Sequence, residues 1–418
     1  MNKKHVSYCL GALFLGSFAA SAIPQDGPFG FDPIAESAAS TNWNPAAPWK
    51  IPAGFVQMVV KNESDLNIYG GGRSDLHDMN TENETGKQAG RYIYTTHEVR
   101  GAAEGGSMSV FDKRTGAIRV IAQDPSWNAI DGIRWTPWGT VLFSEEVTGG
   151  RLFELVLDKN DLMNGTVYDR PAVGRIAHEG IEVGPDGSVY VIDEFRGQRE
   201  GFGGGIYKFV PDSYGDLSSG SLYALKVVGN DDGTGQGEWV GPIDAANARQ
   251  SGTDFGGTGY NRPEDIEIIG NTLYVAVTEG VYIDGTQTFD GRVLAVDLNT
   301  LEVSNFVKPG VNIPVEIGRP GDEDFQSGLD NPDNLAKTPD GKLIIVEDNV
   351  PSDIWICERD EDNDGSADAV NLFASLSDPG AEGTGIYFGQ NPKTLFVNIQ
   401  HSAAVDGDGT WAIIKTDD

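Results

Sequence analysis

Thiol chemistry is almost absent from this chain. Its 418 residues include two cysteines. Cys9 lies in an apolar leader, so Cys357 alone serves the rest of the sequence. One thiol excludes an internal disulfide framework and a thiolate metal cluster. Histidine is scarce as well: beyond the leader only His77, His97, His178 and His401 occur. Basic residues are in deficit, with 30 Lys and Arg against 63 Asp and Glu and a formal net charge of −33. Nucleic acid and anionic membrane surfaces are poor partners for such a chain. After the leader no run reaches the roughly 18 apolar residues of a spanning helix, so membrane insertion is not expected. G-x-S-x-G, P-loop, Rossmann and C-x-x-C motifs are all missing. Apolar i, i+3, i+4 patterns hardly persist past two turns, which argues against a helical architecture.

The leader reads as a secretory signal peptide over residues 1–22. Asn2-Lys3-Lys4 is its basic start, Val6 to Ala20 its apolar run, and Ala20-Ser21-Ala22 a small-residue cleavage pattern. Without a twin-arginine pair it implies general secretory export, unfolded, to the periplasm or the exterior, with any metal acquired afterwards. Residues 23–54, rich in Pro, Ala, Ser and Gly, are expected to form an extended arm. Residues 55–418 are read as one domain and the protein as a monomer.

What the chain does have is a repeat. In four segments two acidic residues stand 14 apart around two short apolar runs and a Pro/Gly/Asn turn: Asp131/Glu145, Glu179/Asp193, Asp265/Glu279 and Asp333/Glu347. A longer fifth copy runs from Glu382 to Gln400 and His401, and a weaker first copy ends at His97-Glu98. Each reads as a β-hairpin whose flanking acids meet at its open end. Hairpins of another type alternate with these, at 107–122, 151–158, 205–212, 291–307 and 353–374. Four-stranded units repeated radially make an all-β fold, a β-propeller, here with six blades and with room for a seventh in the 212–262 stretch. Trp411–Lys415 and Phe55–Val60, spare strands at opposite ends, are expected to share one blade.

In such a ring the innermost strands line the channel, so Glu98, Asp131, Glu146, Glu179, Glu264, Asp333 and Glu382 become neighbours at one mouth. Clustered carboxylates repel unless protons or cations neutralise them, and hard oxygen ligands without thiolate favour Ca2+ or Mg2+. His97, His178 and His401 flank these acids and are expected to hydrogen-bond them, with direct ligation of iron or zinc as the alternative. A separate run, Asp360 to Asp368, places Asp360, Asp362, Asp364 and Asp368 at positions 1, 3, 5 and 9 of an EF-hand-like loop with Gly365 at 6. Position 12 is Asn371 in place of the usual Glu, and a structural calcium is expected there. An anionic substrate would need positive charge, and Arg262, entering an inner hairpin, is the leading candidate ahead of Arg134, Arg175, Arg196 and Arg292.

At these residues the chain resembles the PhoX-type alkaline phosphatases, secreted β-propellers that use iron and calcium. The matching stretches are THE (96–98), TPWGT and SEE (136–146), GRIAHE (174–179), YKFV (207–210), RPED (262–265), PDN (332–334), EGTG (382–385) and TLFVNIQH (394–401). The resemblance implies that Glu146, Glu179, Glu264 and Asp333 ligate metal, that Arg262 contacts phosphate, and that Arg262, Glu179 and Glu264 carry catalysis on small phosphate esters. It also implies Ca2+ and Fe3+, with one departure: Asp131 stands where the family carries an iron-ligating cysteine. A calcium-dependent lactonase or esterase and a non-catalytic calcium-stabilised binding module are the alternatives.

Overall fold

Short apolar runs rich in Val, Ile, Leu and Phe, each stopped by a tight turn, fold here as antiparallel strands. The computed structural model describes residues 27–416 except 71–72, 284–285, 288–290 and 315–327. The expected signal peptide lies outside the described residues. Apart from the short pair Tyr282–Ile283 and Thr286–Gln287, the described strands fall into six antiparallel units, two of them joined in one nine-stranded sheet, written from the innermost strand outward. Blade 1 is His77–Glu82, Tyr92–His97, Gly106–Asp112 and Ala117–Asp124, and blade 2 is Ile130–Trp135, Val141–Glu145, Leu152–Asp158 and Asp161–Asp169. Blade 3 is His178–Val183, Val189–Asp193, Ile206–Ser213 and Asp216–Gly229, and blade 4 is Pro263–Ile269, Thr272–Val277, Arg292–Asp297 and Glu302–Val307. Blade 5 is Pro332–Lys337, Leu343–Glu347, Ser352–Cys357 and Val370–Leu376, and blade 6 is Glu382–Phe388, Thr394–Gln400, Gly409–Lys415 and Phe55–Asn62.

The innermost strands contact one another in the cycle 1–2–3–4–5–6–1, which closes the ring of a β-propeller. Closure is made by the chain ends: Phe55–Asn62 pairs with Gly409–Lys415 from Phe55/Lys415 to Asn62/Gly409, the pairing expected from the two spare strands. The 212–262 stretch holds an extra strand, Gly235–Ile243, which widens blade 3 and pairs through Gly235 and Gln236 with Glu302–Val307 of blade 4.

Because side chains alternate across a strand, each blade has two faces and buries both against its neighbours. Apolar clusters accordingly sit between blades. Leu142 and Leu152 meet Val191 and Phe209 between blades 2 and 3, and Val275 and Leu294 meet Ile192 and Leu225 between blades 3 and 4. The closing seam between blades 6 and 1 is different: its small apolar patch of Ile93, Phe396 and Ala412 is flanked by polar contacts. There Lys61 Nζ donates to Thr95 Oγ1 (2.7 Å) and Asn80 Nδ2 to Asn398 Oδ1 (2.9 Å). Residues 27–54 are pinned down at two places. Trp49–Lys50 pairs with the outer strand of blade 5, and Phe29 and Phe31 are buried with Phe55 and Phe373.

Phe373 joins these pieces, with ring centroids 5.2 Å from Phe29, 5.0 Å from Phe31 and 5.2 Å from Phe55. Phe373→Ala is expected to cost about 3–5 kcal/mol, the usual range for emptying a buried phenyl site. Denaturant unfolding checks it, and a loss below about 1 kcal/mol would show that the arm is not anchored there.

Candidate metal centre

One local irregularity builds the site. In every blade the register of the innermost strand slips near its start, between His77/Asn80, Ile130/Ile133, His178/Ile181, Pro263/Ile266, Pro332/Leu335 and Thr384/Tyr387. Such a bulge sets two residues against one and re-aims their side chains. The first bulged residue is Asp78, Asp131, Glu179, Glu264 and Asp333 in blades 1 to 5, and Gly385 in blade 6. The second faces the next blade. A Cβ on Gly132 would stand 1.8 Å from the Glu179 carbonyl oxygen, so only glycine allows that approach. Asp265 and Asn334 reach across instead: Asp265 Oδ2 accepts from Leu335 N (2.8 Å), and Asn334 Oδ1 from Thr384 Oγ1 (2.7 Å).

A second tier comes from the residue just past the second strand. Glu98, Glu146, Glu194 and Asp348 donate their backbone N–H groups to Leu76, Ala129, Ala177 and Asn331 at 3.1, 2.9, 2.9 and 3.0 Å. In blade 4 the equivalent residue is Thr278, which donates to Arg262 O at 2.9 Å. Arg262 has a left-handed backbone, φ 51, but so do Leu76, Ala129 and Asn331 at the matching positions. That strain therefore belongs to the repeat and not to Arg262.

Ligand atoms of Asp131, Glu146 and Glu179 lie within 4.8 Å of one another, and so do those of Glu179, Glu264 and Asp333, so Glu179 is common to both groups. Glu98 and Glu382 join the same field, Glu98 beside Glu146 and Asp131, Glu382 beside Asp348 and Asp333. Two guanidiniums answer these acids. Arg262 Nε donates to Glu194 Oε1 (2.6 Å), and its Nη2 is 2.9 Å from Glu264 Oε1. Arg100 Nε is 2.8 Å from Glu98 Oε1, and its Nη2 pairs with Glu146 Oε2.

Burial first, then repulsion among neighbours, pushes these carboxyls up: Asp78 to about 7, Glu146 to about 10 and Glu382 to about 11. Asp131, Glu179, Glu264 and Asp333 are raised well above the usual range for the same reasons, with Arg262 opposing the rise at Glu264. Asp131 Oδ1 is buried with no hydrogen-bond partner. An orphaned buried oxygen inside a cluster of oxygen donors fits a hard cation.

Several expected features turn out otherwise. The outer member of each 14-residue pair does not join the cluster, because strand alternation sends it the other way. Glu145 pairs with Arg151 Nε (2.6 Å), Asp193 with Arg249 (2.7 Å), Glu279 with Arg196 (2.5 Å), and Glu347 accepts from Trp355 Nε1 (2.9 Å). The histidines follow the same rule. His178 Nε2 bonds the Gly174 carbonyl (3.1 Å), and His97 bonds Asp75 O and Ser109 Oγ (both 2.8 Å). Only His401 approaches an acid of the cluster, 3.5 Å from Glu382 Oε1. Arg134 serves a deeper layer of the channel, paired with Glu182 and, at 3.2 Å, with Glu267.

Sequence reasoning missed Asp78, Glu194 and Asp348. The last two lie 15 residues after Glu179 and Asp333, one position beyond the spacing chosen, and Asp78 precedes Glu98 by 20 because the blade 1 hairpin has a longer turn. In the outer loop, Asp360, Asp362 and Asp368 offer ligand atoms within 4.8 Å of one another. Asp364 is not in that group, and its Oδ1 accepts from Ser366 N (2.8 Å).

The architecture is thus a β-propeller whose channel mouth holds a carboxylate cluster able to take metal. Residues 150–403 match the alkaline phosphatase PhoX family, and the chain belongs to that family. It is therefore a metal-dependent phosphoester hydrolase of the alkaline phosphatase type. The structure of Pseudomonas fluorescens PhoX in complex with vanadate, a transition state analogue, is similar at TM-score 0.66 and 18% identity, covering 93% of this chain and 98% of that one. A calcium structure of a Trichoderma reesei carbohydrate-active enzyme of family AA12 gives TM-score 0.49 at 9% identity, over 89% and 98% of the two chains. The PQQ-bound aldose sugar dehydrogenase of Streptomyces coelicolor gives 0.45 at 13% identity, over 87% and 99%. The last two likenesses bear on no functional argument. No curated protein sequence matches the chain.

A pH prediction follows from the raised carboxyls. Stripped of metal, the folded protein holds protons that an unfolded Glu, near 4.3, has already released. Stability of the stripped protein should therefore fall as pH rises from about 4.3 through the folded values of about 7, 10 and 11 for Asp78, Glu146 and Glu382. Calcium should reverse the trend, so the gain in Tm on adding calcium should grow between pH 5 and pH 9. A gain independent of pH in thermal unfolding would contradict this.

Proposed function

We propose that the chain hydrolyses phosphate monoesters at the open end of the channel, with cations held by the carboxylate cluster and Arg262 on the phosphate. The observation carrying this reading is the pair of carboxylate groups that share Glu179, with Arg262 beside Glu264. Asp131, Glu146 and Glu179 would hold one cation, Glu179, Glu264 and Asp333 another, and Glu98 and Glu382 would close the rim. An all-oxygen donor set suits Ca2+ first and Fe3+ second. Bound there, the cations would supply Lewis acidity toward the phosphoryl oxygens. Cys357 is buried between blades 4 and 5 and offers no soft ligand to the cluster.

Arg262 is the more buried of the two guanidiniums at the centre, its side chain 24% exposed against 49% for Arg100. Already ion-paired on two sides, it is pre-oriented to bind phosphoryl oxygens without reorganisation. Glu179 and Glu264 set the spacing of the cations against it. Arg175, paired with Asp169 (2.7 Å), and Arg196, paired with Glu279 (2.5 Å), are engaged elsewhere. Arg292, 1% exposed, is held by Asn305 Oδ1 (2.7 Å).

We read residues 1–22 as an export signal, 23–54 as an arm and 55–418 as one propeller, loaded with metal in the periplasm or outside the cell. The described residues include no helix long and apolar enough to cross a membrane. The Asp360–Asp368 loop is read as a structural calcium site. Its backbone already rests on blade 4, with Ser304 Oγ donating to Gly365 O (2.6 Å) and Ala367 N to Phe306 O (2.9 Å). A cation there would hold blade 5 to blade 4.

The test is elemental metal analysis beside a phosphomonoesterase assay, with and without chelator. Arg262→Ala, metal-replete, should lower kcat/KM by about 100-fold or more, the effect of losing a transition-state donor. Glu264→Gln should lose bound metal and activity together. Asp265→Asn should instead lower Tm with kcat largely kept, because Asp265 ties blade 4 to blade 5 through Leu335 N. Absence of both phosphatase activity and phosphate binding in the metal-replete protein would favour the binding-module reading.

The outer loop has its own test. Asp362→Ala should lower Tm in calcium and leave activity at saturating calcium unchanged. Equal calcium-induced Tm shifts in the variant and its parent would remove the structural calcium from that loop.

A further inference from the structure

We infer that Arg100 reads a second negative charge on the substrate, on the leaving-group side, so that monoesters carrying an anionic group near the ester are preferred. This rests on the phosphate reading of the centre and concerns a residue outside the family stretches. Arg100 and Arg262 each pair directly with acids of the carboxylate cluster. Their partners do not overlap. Arg100 serves Glu98 and Glu146, with Asp131 and Glu179 further off, and Arg262 serves Glu264 and Glu194, with Asp348 further off. They come from different blades, Arg100 just past the second strand of blade 1 and Arg262 just before the inner strand of blade 4. Each guanidinium is held by its own pair of acids, Arg100 by Glu98 and Glu146 and Arg262 by Glu194 and Glu264. They are placed for two anionic groups.

Depth decides which group each would take. The Arg262 side chain is 24% exposed and Arg100 49%. A phosphoryl group seated against the buried carboxylate groups and Arg262 would point its leaving group toward solvent, and Arg100 is the more exposed of the two guanidiniums. On a chain of net charge −33, an anionic leaving group would otherwise be repelled at this mouth. One fixed guanidinium at the rim turns that penalty into recognition through a charge-assisted hydrogen bond. The competing role for Arg100 is to neutralise Glu98 and Glu146, and that role gives no preference between neutral and anionic leaving groups.

The experiment uses two non-hydrolysable probes that share a phosphonate and differ at the tail: propylphosphonate and 3-phosphonopropionate. Their affinities for the metal-replete full chain are measured by calorimetry, with metal content determined for every variant. The parent should bind 3-phosphonopropionate about 10-fold more tightly, the size of one charge-assisted hydrogen bond of roughly 1.4 kcal/mol. Arg100→Gln should erase that preference while holding propylphosphonate affinity and metal content within about twofold, and Arg100→Lys should restore part of it. The kcat/KM ratio for 2-carboxyphenyl phosphate over phenyl phosphate should follow the same order. A parent that binds propylphosphonate but shows no preference overturns the inference and leaves the phosphate reading standing. A parent that binds neither probe overturns both. Equal loss of the two affinities in Arg100→Gln, with or without loss of metal, overturns the inference by marking Arg100 as support for Glu98 and Glu146.

Discussion

Carboxylates buried side by side at the channel mouth are the interaction that the rest of the molecule must accommodate. Two unit charges within the 4.8 Å that spans each carboxylate group repel by about 3–4 kcal/mol at an effective dielectric of about 20. A few such pairs equal the whole stability of an ordinary domain, roughly 5–15 kcal/mol. The cluster is therefore tolerable only when protons or cations sit within it, and its raised pKa values state the same fact for the metal-free chain. The deeper layer of the same channel is built differently. There Arg134 and Lys337 compensate Glu182 and Glu267, with Lys337 Nζ 2.7 Å from Glu267 Oε1, and no comparable deficit of positive charge arises.

The scaffold holds the repulsion by sharing it around a ring. Each innermost strand is fixed on its outer side by three more strands and on its flanks by neighbouring blades. Pushing one carboxylate outward would therefore break a blade interface such as that of Leu142, Leu152, Val191 and Phe209. The bulges put the load where it is wanted. Gly132 and Gly180 let adjacent inner strands approach, and Asp265 and Asn334 tie those of blades 4, 5 and 6 through backbone N–H groups. Ring closure by Phe55–Asn62 makes the arrangement depend on both chain ends.

Much of this was legible in the sequence, for identifiable reasons. Period-two apolar runs and turn dipeptides such as Asp186-Gly187 and Asp340-Gly341 mark hairpins locally, so the β-propeller and the shared terminal blade could be read directly. Glu179 and Asp333 stood out because their spacing repeats, whereas Glu264 sits one residue before the repeating acid Asp265. What spacing could not convey was the bulge, since an inserted residue changes which of two neighbouring acids turns inward. That is why Asp193 and Glu347 looked equivalent to Glu194 and Asp348, although one pair binds Arg249 and Trp355 and the other faces the mouth. Asp78 was hidden by the longer blade 1 turn, and the inward course of Arg100 depends on contacts with Glu98 and Glu146 that no local pattern encodes.

A perfectly repeated ring of acids would bind cations and repel any anionic substrate, so a phosphatase built on it must break the repeat. The structure breaks it in two blades. In blade 6 the bulge carries no acid but Gly385, whose Cβ position faces the Asp78 carbonyl of blade 1, and in blade 4 the outer tier carries Thr278 where blades 1, 2, 3 and 5 carry Glu98, Glu146, Glu194 and Asp348. The missing acid of blade 4 lies next to Arg262, whose carbonyl receives the Thr278 N–H. An acid at that position would add a third carboxylate to Glu194 and Glu264 around one guanidinium and extinguish its positive field. With threonine there, Arg262 is paired with Glu194 and Glu264 and meets no further acid from the outer tier of blade 4. The symmetry of the fold gathers the donors, and the uncharged Thr278 in blade 4 spares Arg262 a further acid beside its own backbone.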